Sequence, residues 1–131
     1  MNGELIKKKV RELTAKYNSR DPFTLCREMG IEILFVPLTP RVRGFYQQID
    51  SLDIIYLSDS LTETEQIPVL AHELGHCLLH SGLNFFFVTR STLYPVGKYE
   101  KEADEFAREL LSGREMDLSD ISSEVRKILL S

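Results

Sequence analysis

Residues 69–80 read VLAHELGHCLLH, with His72 and His76 four apart, Glu73 directly after the first and His80 four further on. At about 100° per residue, a helix through this stretch gathers Ile67, Leu70, Leu74 and Leu78 on one side and turns His72 and His76 roughly the opposite way. The apolar side is a core-facing back and the histidines form the front. Side chains four apart are neighbours on a helix, so two imidazoles so arranged can converge on one tetrahedral ion, at nitrogen–metal distances of about 2.0–2.1 Å. Glu73, one step round from His72, overhangs such an ion without binding it, where a general base for a water belongs. Gly75 interrupts the helix interior at a cost of about 1 kcal/mol relative to alanine, which points to another backbone or a ligand close by. HExxH also arises by chance, so the rest of the chain has to supply what the motif lacks.

A catalytic zinc site needs a third protein ligand and an open position. His80 is the nearest candidate, but it lies eight residues beyond His72, about 12 Å along the axis, too far to share an ion that His76 also holds. It reads instead as a helix-end residue that bonds terminal carbonyls or supports a ligand from outside. The better candidate is downstream, in YEKEADEFARELL, residues 99–111. There Ala103, Phe106, Ala107, Leu110 and Leu111 form an apolar stripe, and Glu100 falls within about 50° of its centre. A carboxylate on a core-facing stripe is costly unless it is paired or bound to a metal, so Glu100 is the expected third ligand. Asp104, one turn on, is placed to accept the free N–H of a ligating histidine. Glu102, about 100° from the stripe centre, reads with Glu105 and Glu109 as a solvated face.

Working outward, Thr62 and Glu65 form a capping box that starts the histidine helix, expected over 62–80, with Pro68 loosening or kinking an early turn. Upstream, Ile6, Val10, Leu13 and Tyr17 mark one face of a first helix over 3–17. Asp21, Pro22 and Gly30 punctuate a short second helix over 22–29. Residues 31–37, 44–49 and 53–58 are rich in β-branched and aromatic types and read as strands, the last two joined as a hairpin at 50–52. Residues 81–98 are irregular, with FFFV at 85–88 as a short strand or hydrophobic flap. A helix over 99–111 and a last short one over 119–130 complete the pattern. The expected fold is a small α+β domain. A short, partly antiparallel three-stranded sheet packs against the HExxH helix and flanking helices.

The 131 residues suggest a single domain over 1–131, able to bury a core without a disulfide or metal staple. A net charge of −4 argues against a nucleic-acid surface. The run Lys7–Lys8–Lys9 is explained by the solvated face of the first helix. No secretory leader is expected from MNGELIKKKV, and no apolar run reaches the roughly 18 residues of a membrane span. Cys26 and Cys77 form no CxxC pair, which suits a cytoplasmic protein with small buried thiols.

The sequence resembles the ImmA/IrrE family of metalloendopeptidases, a gluzincin-like group with HExxH and a downstream glutamate. The resemblance is carried by AHELGHCLLH at 71–80 and EKEADEFARELL at 100–111. Weaker echoes are DPFTLCREMGIEI at 21–33, RGFYQQI at 43–49 and IIYLSDSLTETEQ at 54–66. Where relatives commonly carry a proline after the ELL segment, this chain reads LLSG. The resemblance implies a zincin-like fold with one Zn2+, held by His72, His76 and Glu100, and Glu73 as catalytic base. It also implies a protein substrate, typically a helix-turn-helix repressor of a prophage or mobile element, cleaved in the cytoplasm.

The chemistry expected is metal-assisted peptide hydrolysis, with Glu73 taking the proton of the attacking water and returning it to the leaving amine. A donor facing the oxyanion is expected from Tyr94, Tyr99, Tyr46 or His80, and the sequence does not choose among them. The substrate is expected to add as a strand at a sheet edge, within 44–49 or 54–57. The main rival is a zinc-containing anti-repressor that inactivates its partner by docking without cutting, with Phe85, Phe86 and Phe87 as a docking patch. A hydrolase of small molecules lacks any phosphate-cradling loop or comparable fingerprint.

Overall fold

A computed structural model of the chain describes residues 2–80, 87–88 and 97–112. Helix α1 (Gly3–Tyr17) is capped by Asn2, whose side chain accepts from the Leu5 N–H, and turns Ile6 and Val10 into the core. Helix α2 (Pro22–Met29) begins at Asp21, which accepts from the Phe23 N–H. It ends at Gly30, whose φ of 72° suits a residue without Cβ.

Strands β1 (Glu32–Val36), β2 (Gly44–Ile49) and β3 (Leu52–Ser58) form the body of a mixed sheet, and the two-residue β4 (Phe87–Val88) extends it in the order β1-β3-β2-β4. β1 runs parallel to β3, while β2 is antiparallel to both β3 and β4. Between β2 and β3 the hairpin is tighter than the sequence suggested. Ile49 pairs with Leu52, leaving Asp50 and Ser51 as a two-residue turn, both at positive φ (47° and 69°). Such a turn matches the twist of the flanking strands. β3 lies inside the sheet, so the expectation of a free edge in 54–57 gives way, while β2 is paired on its outer side at Phe45 and Tyr46 among the described residues. The outer strands are β1 and β4.

The helices cover one face of this sheet, where Tyr46, Ile55 and Leu57 join Ile6, Leu25, Leu70, Leu74 and Phe106 in the core. The other face carries the stacked rings of Phe45 and Tyr56, 4.3 Å apart, beside a shallow apolar hollow under Pro37, Leu38 and Val42. Helix α3 (Glu63–His80) starts with the reciprocal cap expected. The Thr62 N–H bonds the Glu65 carboxylate at 3.0 Å, and the Glu65 N–H bonds the Thr62 hydroxyl at 3.2 Å. The helix continues unbroken past Pro68. Helix α4 (Gly97–Ser112) packs along it, burying the stripe Ala103, Phe106, Ala107 and Leu110. Two carbonyls of its last turn, Glu109 and Leu110, accept from the Arg20 guanidinium at 3.0 and 3.1 Å. The result is a small α+β domain. No helix among the described residues is long and apolar enough to cross a membrane. The helix expected over 119–130 lies outside the described residues.

Candidate metal centre

Every residue of α3 from Pro68 to Cys77 is buried, because the histidine-bearing front meets α4 rather than water. Gly75 makes this contact possible. A Cβ there would stand 3.2 Å from the Ala103 Cα, from the Ala103 carbonyl oxygen and from the Phe106 Cβ. Two of those three atoms are α4 backbone, so the missing methyl sets the spacing of the helices that carry the candidate ligands.

Across this seam, the Glu100 carboxylate faces both rings. Its Oε2 lies 2.9 Å from His72 Nε2, and its Oε1 lies 3.0 Å from His76 Nε2. Candidate donor atoms from His72, His76 and Glu100 all lie within 4.8 Å of one another. Two imidazole nitrogens and one carboxylate oxygen suit a borderline divalent ion such as zinc. The two rings meet edge to face, their centroids 4.8 Å apart.

Around them the outer contacts differ. His72 Nδ1 lies 2.7 Å from Asp104 Oδ1, close but not aligned as a hydrogen bond. His76 Nδ1 meets His80 Nδ1 at 3.0 Å, and His80 Nε2 meets Glu102 Oε1 at 2.9 Å. Of its two expected readings His80 takes the outer one, directing its ring nitrogens to His76 and Glu102 and not to the carbonyls that end the helix. Glu102 is 7% exposed, which corrects its reading as a solvated residue. The sign of a partner for Glu102 was the continued four-residue spacing from His76 to His80. It keeps a third imidazole on the seam, where a buried polar ring needs a partner.

The electrostatics suit a cation. Burial opposes charge on His72, but Asp104 and Glu100, with Glu73, outweigh it and lift the pKa to about 10. Burial lowers His76 to about 4, only partly offset by Glu100. Burial also opposes charge on Glu100, yet the two imidazoles hold its carboxyl down at about 2. His76 neutral and Glu100 ionised already match what metal ligation requires, whereas His72 holds a proton between Asp104 and Glu100 that an incoming metal would displace.

Glu73 is fully buried beside His72. Of the expected oxyanion donors, Tyr46 is buried with its hydroxyl 2.6 Å from Asp53 Oδ1. Tyr99 sets its ring edge-on against His80, with centroids 4.8 Å apart. Tyr94 lies outside the described residues, as do Phe85 and Phe86 and the side chain of Phe87.

Residues 26–120 match the model of the IrrE N-terminal-like domain, a peptidase family. The chain belongs to the ImmA/IrrE family. Among relatives of this family, an uncharacterized immunity region protein 2 of Bacillus phage phi105 is 37% identical over 107 residues. That alignment covers 82% of this chain and 68% of the phage protein. The metallopeptidase ImmA of Bacillus subtilis (strain 168) is 32% identical over 108 residues, covering 81% of this chain and 62% of ImmA. No solved structure matches the chain. A metallopeptidase family implies a metal, and the donor set at the α3–α4 seam fits one.

Proposed function

We propose that the chain is a zinc-dependent endopeptidase, with His72, His76 and Glu100 as the metal ligands and Glu73 as the general base. The observation that carries this reading is the convergence of two imidazole nitrogens and a carboxylate across the α3–α4 seam. A bound Zn2+ would supply Lewis acidity toward the scissile carbonyl and acidity to a water. The chain's own residues do the rest. Glu73 takes the proton of the attacking water and passes it to the leaving amine. Asp104 orients His72 from outside, as carboxylates commonly do for ligating histidines. Burial along the seam strengthens these electrostatic interactions by excluding water.

The substrate proposed is a helix-turn-helix repressor, cut in the cytoplasm to release the genes of a prophage or mobile element. The similarity to an immunity region protein of a phage supports that choice. The test is to incubate zinc-loaded protein with the repressor encoded nearest its gene and look for fragments. Glu73→Gln should keep the fold and the zinc while losing cleavage. Glu100→Ala should lose both zinc and cleavage. Repressor inactivation without fragments, undiminished in Glu73→Gln, would instead mean that the chain acts by docking.

A further inference from the structure

Four groups stand in a row along the seam: Glu100, His76, His80 and Glu102. The contacts linking them are 3.0, 3.0 and 2.9 Å long. A neutral imidazole carries one N–H and one lone pair, while a carboxylate can only accept. Glu102 therefore takes the hydrogen of His80 Nε2, and His80 Nδ1 is left as an acceptor. The central Nδ1···Nδ1 contact then needs the hydrogen of His76. Otherwise two lone pairs would face each other in a buried setting, where an unmade hydrogen bond costs most. With its hydrogen on Nδ1, His76 turns a lone pair at Nε2 toward Glu100. Nε2 and the Glu100 oxygen are then both electron-pair donors, a pair that a cation would satisfy and a shared proton would not.

We propose that His80 and Glu102 are positioning residues that hold His76 as the tautomer whose Nε2 lone pair faces the metal. The proposal rests on the metal reading above and extends it. His72 has the Asp104 carboxylate against its Nδ1, whereas His76 has a carboxylate acting through a second imidazole. The ring of Tyr99 packs edge-on against His80. Both rings are nearly inaccessible to water, with His76 at 0% and His80 at 4% exposed, so solvent does not compete for these contacts.

Imidazole 15N shifts of the protein, before and after zinc, read the tautomers directly. In the zinc-loaded wild type, His76 should be protonated at Nδ1 and His80 at Nε2, with His80 Nδ1 bare. Chelator competition then reads zinc affinity. His80→Leu should bind zinc about 10–100-fold more weakly, the usual cost of losing an outer partner of a ligand. His80→Asn, whose side-chain oxygen can accept the His76 hydrogen, should recover most of that loss. Glu102→Gln, which keeps a weaker acceptor, should fall between. Circular dichroism checks each fold, and should His80→Leu unfold, His80→Asn and Glu102→Gln with the wild-type shifts decide. A hydrogen on His80 Nδ1 in the zinc-loaded protein would overturn the proposal, as would a folded His80→Leu that binds zinc as tightly as wild type. A wild type that takes up no zinc would overturn the metal reading itself.

Discussion

Replacing Gly75 by alanine sets two effects against each other, and the structure decides between them. Alanine in a helix interior is worth about 1 kcal/mol over glycine. The new methyl, however, would sit 3.2 Å from two backbone atoms of Ala103 and from the Phe106 Cβ, tighter than ordinary van der Waals contact. A backbone cannot rotate aside as a side chain does, so α4 itself must shift by a few tenths of an ångström. Overpacking of this kind costs about 1–3 kcal/mol. The net expectation is a loss of about 0–2 kcal/mol in the metal-free protein, read by urea unfolding. The same shift displaces Glu100, three residues from Ala103, relative to His72 and His76. Metal–ligand distances hold to about ±0.2 Å, so zinc affinity should fall about tenfold or more, read by chelator competition. If Gly75→Ala were instead stabilised by the full helix-propensity gain, with zinc affinity unchanged, the spacing argument would be wrong.

Asp104→Asn should weaken zinc binding about 10–100-fold, read by chelator competition, because it withdraws the carboxylate beside His72 Nδ1. Arg20→Ala removes the charged group bonded to the carbonyls of Glu109 and Leu110 and should destabilise the fold by about 1.5–3 kcal/mol, seen in denaturant unfolding. The thiols of Cys26 and Cys77 are both buried, and burial pushes Cys26 up to about 12 and Cys77 higher still. At pH 8 both should alkylate slowly in the native protein and rapidly after unfolding, as measured by mass spectrometry. The corresponding stability is fully present below the ordinary thiol pKa of 9.0, and is lost as pH rises from there through about 12, because the unfolded thiols ionise first.

Local signals determined more of this protein than its size would suggest. Asp21–Pro22 with Gly30, the Thr62–Glu65 box and the four-residue spacing of His72 and His76 each act within one or two turns of chain. Backbone hydrogen bonding and helical pitch alone make them legible. Glu100 was legible as the carboxylate facing the histidines, but the stripe misjudged depth: Glu100 is part-buried, and Glu102, placed toward solvent, is buried. What the linear pattern could not contain was which seam the front of α3 would meet. Whether Glu102 faces water or His80 depends on how α4 lies against α3, and a wheel drawn for one helix has no partner in it. The sheet shows the same limit. β1 pairs parallel with β3, skipping the β2 that lies between them in sequence, so 54–57, which read as a candidate edge, became interior. Strand propensity is a property of a segment, whereas strand order is fixed only when the core chooses which faces to bury. The close approach at Gly75 lies between these cases: the glycine was visible as an anomaly, and only the packed helices supplied the backbone that explains it.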